Sequence, residues 1–406
     1  MTFTSRRSMA GQIGDRPIAG AGLVPVRGHH AASPASPSRP VHVAGQGVVG
    51  AGLVPTRGRP AAWPGYDDRA SVQQHPAGRA PAPITTIRVS VVVPTYNRPA
   101  LLGRCLAALV AQDLPPDAYE IVVADDAASA AIAALVARWA ERAPCAVRYV
   151  AVTGTHGPAA ARNRGWRAAR GAVIAFTDDD CVPTPSWLRA GLAACAAGVT
   201  AVTGRVVMPL PPVPTDYERD AAGLERGEFV TANCFCRREA LLATGGFDER
   251  FPAAWREDSD LHFVLLERGA RLVRAPAAVV VHPVRPGRWG ISLSQQRKAQ
   301  YNALLYKKHP GLYRQHIQAA PPGRYYASVG ALLVAAGASA TGRRRLAIGA
   351  AGTWAALTAE FCARRLRGTS HAPAHVADML VTSALIPPLA VYWRLRGALK
   401  YRVAFL

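Results

Sequence analysis

From Ile87 onward the chain alternates short runs that are apolar throughout with longer stretches whose apolar residues recur every three or four positions. The first texture predicts buried strands and the second predicts the helices that cover them. Strands are expected at Thr86 to Val93, Glu120 to Ala124, Val147 to Val152 and Ala172 to Phe176, with helices at Leu101 to Gln112, Ala128 to Arg142 and Ala159 to Ala169. This alternation predicts an α/β, Rossmann-like fold with a mostly parallel sheet and helices on both faces. Ligands in such folds sit beyond the carboxyl ends of the strands. The polar clusters Pro94-Thr95-Tyr96-Asn97, Asp125-Asp126 and Asp178-Asp179-Asp180 all fall at those ends.

The flanks read differently. Residues 1 to 85 are rich in Pro, Gly, Ala, Ser and Arg, lack a sustained apolar period, and repeat Gly20-Ala21-Gly22-Leu23-Val24-Pro25 as Gly50-Ala51-Gly52-Leu53-Val54-Pro55. Such a segment buries too little surface to offset its ordering entropy and is expected to be disordered. After Tyr325 come three apolar stretches, roughly 325–342, 346–363 and 376–393, separated by Arg343-Arg344-Arg345 and by Arg364-Arg365-Leu366-Arg367. Each is near the lower limit for a spanning helix, about 17 residues. Glu360 interrupts the second and Pro387-Pro388 the third, so they either span a membrane or lie in its interface with arginines at anionic headgroups. The expected division is a disordered segment 1–85, an α/β domain 86–310 and a helical, membrane-associated region 311–406.

Charge changes this picture little. The net charge of +22 is almost all arginine, since Lys298, Lys307, Lys308 and Lys400 are the only lysines, and it accompanies abundant Ala, Gly and Pro. No helix-turn-helix, zinc-finger or RNP-type signature accompanies it, so no nucleic-acid partner is expected. Seven cysteines without CxxC spacing suggest reduced thiols, and Cys234 and Cys236 alternate on a strand as small core residues. No N-terminal segment has the apolar core of a secretory signal.

The candidate chemistry is acidic. Gly171 to Phe176 drives an apolar strand into Asp178, Asp179 and Asp180, which is either a solvated turn or a site for a divalent cation and a phosphorylated ligand. Asp125 and Asp126 repeat the design, one as a helix cap or both as acceptors for a ring N–H or ribose hydroxyls. Glu257 and Asp258 precede Leu261, Val264 and Leu265 at helical spacing, so they occupy a first helical turn, where acids are also common for structural reasons. His282 ends an apolar strand, as a surface residue or a ligand. Trp255 and Arg256 either pack the helix entrance or meet a sugar or phosphate.

In order, V-S-V-V-V-P-T-Y-N-R, I-V-V-A-D-D, G-P-A-A-A-R-N-R-G at 157–165, F-T-D-D-D, G-G-F-D-E-R-F at 245–251 and W-R-E-D-S-D-L at 255–261 resemble a family 2 glycosyltransferase of the GT-A fold. The resemblance covers about 87 to 310, and Ala127-Ala128 stand where the family usually has Gly-Ser. It implies that Pro94, Thr95 and Tyr96 frame a nucleotide base recognised by Asp126, with Arg162 near the donor phosphates and Asp178 at the ribose or sugar. It further implies Asp180 and His282 at a Mn²⁺ or Mg²⁺ ion, Asp258 as general base with Glu257 supporting it, and Trp255 and Arg256 toward the acceptor. The implied activity is metal-dependent, inverting transfer of a hexose from a nucleoside-diphosphate sugar, with UDP foremost. The acceptor is a saccharide, lipid-linked or other hydroxyl in cell-envelope polysaccharide or glycolipid synthesis. The implied place is the cell membrane, with the catalytic domain cytoplasmic. A sugar nucleotidyltransferase of related fold and an inactive membrane scaffold are the rivals, although no Gly-rich, Arg-Lys-bearing loop follows the first strand. Glycoside hydrolysis also uses two carboxylates but leaves the strand-end clusters without a role.

Overall fold

The computed structural model describes residues 87–405. The segment expected to be disordered, 1–85, lies outside the described residues.

The first half of the α/β body follows the sequence pattern: β1 (Val89–Thr95), α1 (Pro99–Val110), β2 (Tyr119–Asp125), α2 (Ala130–Arg142), β3 (Ala146–Ala151), α3 (Pro158–Ala168) and β4 (Val173–Phe176). Then come β5 (Val182–Pro183), α4 (Trp187–Ala194), β6 (Ala201–Val207), α5 (Asp216–Ala221), β7 (Cys234–Arg237), α6 (Arg238–Thr244), α7 (Glu257–Glu267) and β8 (Leu272–Val281). The eight strands form one sheet in the order β3-β2-β1-β4-β7-β6-β8-β5. β1 is parallel to β2 and β4, β2 to β3, and β6 to β8, whereas β7 is antiparallel to β4 and β6, and β5 to β8. Six strands therefore share one direction, as the apolar runs predicted. β7 alone in the middle of the sheet runs against both of its neighbours.

Period-2 alternation sorts the strand residues between two cores. Val91, Val93, Ile121 and Val123 pack with Leu102, Leu106 and Trp187 on one face. Val92, Val122, Ile174 and Phe176 pack with Trp166, Phe247 and Leu261 on the other. At roughly 1.5–3 kcal/mol for each large apolar side chain buried, these two layers dominate the body's stability. Cys234 and Cys236 are buried in the second layer as free thiols, in the small-residue role their spacing suggested.

The remainder is helical: α8 (Ile291–Gln295), α9 (Gln300–Lys308), the single turn α10 (Pro310–Leu312), then α11 (Gly323–Ala340), α12 (Arg344–Leu366) and α13 (Pro373–Tyr401). The three apolar stretches are thus three helices. Among the described residues α12 and α13 are long and apolar enough to cross a membrane by length and composition, which is compatible with membrane association. Pro387 and Pro388 sit inside α13 without ending it.

Candidate active site

Parallel pairing puts the carboxyl ends of β1, β2 and β4 on one edge of the sheet. Thr95 pairs with Asp125 in register, and β4 ends three residues before Asp179. A cleft of about 620 Å³ opens there. All of the residues expected from the sequence line it: Pro94, Thr95, Tyr96, Asp126, Arg162, Asp178, Asp180, Trp255, Arg256, Glu257, Asp258 and His282. Segments as far apart in the chain as Pro94 and His282 are brought together by strand direction alone.

The turn after each strand is held by side chains. The Asp125 carboxylate accepts hydrogen bonds from Ala127 N at 3.0 Å and Ser129 N at 2.6 Å, so this acid braces its own loop. Ala128 takes a φ of 48° there, a left-handed conformation that glycine would adopt without its steric cost. Asp126 accepts two hydrogen bonds from Gly157 N, at 3.0 and 2.9 Å, fixing the entrance of α3. Gly157 has a φ of 110°, and a Cβ there would meet Pro252 O at 2.5 Å, so only glycine fits.

Among the three consecutive acids each has a different partner. Asp179 accepts from Thr95 Oγ1 at 2.8 Å and from Arg98 at 3.3 Å, and is otherwise buried. Burial raises its pKa, the Thr95 hydrogen bond and Arg98 holding it back. Asp178 accepts from Arg162 at 2.8 Å. Asp180 lies 3.2 Å from Arg285 Nε, 4.0 Å from Arg98 and 3.6 Å from His282 Nε2.

Arg162 joins this group to the second pair of acids. Its other terminal nitrogen donates to Glu257 Oε1 at 3.0 Å, while its buried Nε has no hydrogen-bond partner. Burial alone would lower its pKa, but Asp178 and then Glu257 raise it, so it is a fixed cation. Glu257 also accepts from Trp255 N at 2.6 Å. Its pKa is pushed up to about 7 by burial, with Arg162 opposing and Asp258 adding to the rise. Asp258 is likewise raised by burial, against the Ser259 N–H that donates to it at 2.7 Å. These two acids do open α7, as their spacing suggested, behind Arg256 in a left-handed conformation with φ 74°.

Trp255 and Arg256 pack the helix entrance. They face the cleft, yet Arg256 stacks on the Trp255 ring at 4.7 Å and both donate to Asn302 Oδ1, Arg256 at 2.8 Å and Trp255 at 3.3 Å.

The donor atoms suit a hard divalent ion. Asp178, Asp180, Cys181 and His282 each place one ligand atom within 4.8 Å of the others. Two carboxylates and an imidazole match Mn²⁺ or Mg²⁺, and the buried His282 Nδ1 has no hydrogen-bond partner. The Cys181 thiol matches less well, because burial and then Asp178 push its pKa well above the ordinary value and keep it protonated.

Sequence reasoning missed Arg98, Arg285 and Lys298, which line the same cleft. Arg98 closes the first motif and could have been singled out. Arg285 and Lys298 sit in or beyond the loop after β8, and only the fold reveals their proximity.

The strand-end cleft thus gathers acids, fixed arginines and a cation-compatible donor set. The model of glycosyl transferase family 2 matches residues 90–247, and that of glycosyl transferase family group 2 matches residues 173–393, more than half of the chain. The chain belongs to the family 2 glycosyltransferases, and its mixed sheet is of the GT-A type. It is 29% identical over 210 residues to glycosyltransferase AglE of Haloferax volcanii, covering 49% of this chain and 67% of that one. It is 31% identical over 216 residues to the pre-mycofactocin glycosyltransferase of Mycobacterium tuberculosis, covering 48% of this chain and 43% of the relative. Validoxylamine A glucosyltransferase of Streptomyces hygroscopicus subsp. limoneus is 28% identical, with 62% of its length covered. The match thus leaves a third or more of several relatives uncovered. A solved structure of the mannosyltransferase PcManGT from Pyrobaculum calidifontis, in complex with GDP-Man and Mn²⁺, aligns with a TM-score of 0.48 at 23% identity, over 79% of this chain and 89% of that one.

Proposed function

We propose that this protein is a metal-dependent, inverting glycosyltransferase that moves a hexose from a nucleoside-diphosphate sugar, with UDP-sugars foremost, to a hydroxyl acceptor. The observation that carries this reading is the placement of Asp178, Asp180 and His282 in the same cleft as Asp258, with Arg162 tied to both groups.

Pro94, Thr95 and Tyr96 form the base-side wall, and Asp126, already anchored by Gly157, keeps lone pairs for a base N–H. Asp178, Asp180 and His282 would hold a Mn²⁺ or Mg²⁺ ion, which would supply charge neutralisation for the departing diphosphate. Arg98 and Arg285 flank Asp180 and supply fixed positive charge beside the phosphates. Asp258 takes the acceptor hydroxyl's proton as the glycosidic bond forms and the nucleoside diphosphate leaves. Glu257 does not share that role. Bound to Arg162 and Trp255 N, it orients the turn that carries Asp258. Trp255 and Arg256 offer a ring face and a cation to the acceptor.

Residues 86–310 form the catalytic unit on this reading, and 311–406 bind it to the cytoplasmic face of the cell membrane, where the acceptor belongs to envelope polysaccharide or glycolipid synthesis. The two apolar helices α12 and α13 support the membrane part. The test is a panel of nucleotide sugars with Mn²⁺ and with chelator, reading thermal protection and released product. Metal-dependent protection by one UDP-sugar and release of nucleoside diphosphate are expected. Pyrophosphate release would instead identify a nucleotidyltransferase, and no nucleotide binding at all would identify a scaffold.

A further inference from the structure

α13 keeps large apolar side chains outside and polar groups inside. Asp378, Thr382, Ser383 and Arg394 are buried beside Met379, Ile386, Ala390 and Val391, whereas Leu380, Val381, Leu385, Tyr392, Leu395 and Leu399 are exposed. Each of these buried polar side chains has a hydrogen-bond partner in the protein. Asp378 accepts from Gly290 N at 3.0 Å, Thr382 and Ser383 accept from Arg365 at 2.6 and 3.1 Å, and Arg394 donates to Gln318 at 3.1 Å. A helix bathed in water shows the reverse pattern. The outward face therefore meets an apolar medium.

Both ends of α13 also rest on the α/β body. At its start His375 accepts from Asp216 N at 3.4 Å, and at its end Gly397 lies so close to Gln300 that a Cβ would meet Gln300 O at 2.4 Å. Lys307 donates to Tyr401 O, and Phe405 is buried with Phe251, Phe263 and Tyr313. At 1.5 Å per residue α13 is about 43 Å long. If it crossed a hydrocarbon layer of about 30 Å, the charged body that touches both ends would have to enter the lipid.

The α11–α12 pair is short for crossing as well. Between Arg345 and the Arg324–Glu360 ion pair only residues 346–359 of α12 are free of charge, about 21 Å of helix against a layer of about 30 Å. Charge completes the pattern: Glu360 and Asp378 are the only acids after residue 310, while Arg396, Lys400 and Arg402 are exposed at the end of α13. Arg288 and Trp289, exposed just before the Gly290 that anchors α13, place a cation and an indole at its other end.

We infer that α13 lies in the plane of an anionic bilayer, its Leu380–Leu399 face in the headgroup–acyl boundary, and that α11–α13 bind from one side without crossing. This deepens the membrane part of the function proposed above and rests on it.

The test uses the full chain, purified and mixed with preformed vesicles of phosphatidylcholine with or without phosphatidylglycerol. Binding is expected to be at least tenfold stronger with the anionic lipid and to be largely reversed by carbonate. Leu385→Glu with Leu399→Glu should weaken it at least tenfold, while nucleoside-diphosphate release from donor stays within twofold. A Thr341→Cys variant, with its cysteine between α11 and α12, should react with an impermeant maleimide added outside the vesicles. Protection of that engineered thiol inside the lumen, or a protein that resists carbonate, overturns the in-plane arrangement while leaving membrane association intact. No binding to either vesicle overturns membrane association itself, and loss of the Leu385/Leu399 effect together with a change in oligomeric state assigns the face to a second copy of the chain.

Discussion

Two buried arginines, one in the cleft and one where the C-terminal helices join the body, show how similar local chemistry serves different ends. Arg162 is 3% exposed and binds Asp178 and Glu257; Arg365 is 1% exposed and binds Asp216 at 2.9 Å together with Ser292, Thr382 and Ser383. Around Arg365 every terminal nitrogen has a partner. Two guanidiniums, Arg365 and Arg219, share the Asp216 carboxylate beside the half-buried Asp220, and hydroxyls of Ser292, Thr382 and Ser383 accept from Arg365's remaining donors. Around Arg162 carboxylates outnumber their ion-pair partners among the described residues: Asp178, Asp179, Asp180 and Glu257 pair with Arg98, Arg162 and Arg285, and Asp258 is met by the charges of Arg256 and Arg162. Surplus buried charge raises free energy unless something arrives to meet it. The cleft is therefore built for a cationic or hydrogen-bonding ligand, and the junction is built to hold still.

The largest effect expected is at the surplus. Asp180→Ala should abolish transfer and metal-assisted donor binding, because it removes a carboxylate common to the cation donor set and to the two flanking arginines. Folding should survive, since relieving repulsion among consecutive acids offsets part of what is lost. Activity assays with and without chelator, beside a thermal melt, check both halves. Full activity in the variant would sink the metal assignment.

Next comes Asp258→Asn, expected to lower turnover by roughly 10²–10⁴-fold with donor affinity near that of the parent protein. The amide keeps an oxygen for the Ser259 N–H, so the helix start is preserved. Single-turnover rates and donor titration separate the two quantities. If Glu257→Gln is the inactive variant and Asp258→Asn is not, the base moves by one residue.

The comparison itself is sharpened by removing each arginine. Arg365→Met leaves Asp216 with Arg219 as its remaining ion-pair partner, so the change should cost less than the roughly 3–5 kcal/mol of a buried charge left wholly unpaired. Adding Asp216→Asn should recover a large part of that stability in equilibrium unfolding, and the folded fraction should turn over donor normally. Arg162→Met should show a comparable loss of stability but no recovery of turnover with Glu257→Gln, because its carboxylates belong to the site. Equal behaviour of the two pairs would remove the distinction between them.

What could be read from the sequence follows the same divide. β1, β2 and β4 were legible because fully buried parallel strands are apolar at every position, and their polar ends, Thr95, Asp126 and Asp178, stand next to them in the chain. Glu257 and Asp258 were legible as a helix start because Leu261 and Leu265 mark the buried stripe. Arg285 and Lys298 were not, since nothing local distinguishes them from other surface cations. The reversal of β7 was equally silent, because a strand buried on both faces reads the same in either direction. Nor did hydropathy show which face of α13 holds Asp378 and Arg394, because a mean over the window erases the side on which each residue lies.

The smallest effect expected is in the pH dependence. Burial raises both acids at the start of α7, Glu257 to about 7. A general base works deprotonated, so turnover should fall as pH drops through the pKa of Asp258, which burial holds above the ordinary carboxylate range near 4. Stability has the opposite slope. The folded pKa of Glu257 lies above its unfolded one, so its stabilising contribution is complete below the unfolded value and disappears as pH rises through about 7. Glu257→Gln should therefore flatten the decline in stability between pH 5 and pH 8, while the acid limb that remains in turnover reports Asp258 alone. An acid limb at pH 4 in the parent protein, or an unchanged stability slope in the variant, would show that water reaches this pair and that the surplus charge of the cleft is screened rather than held for a ligand.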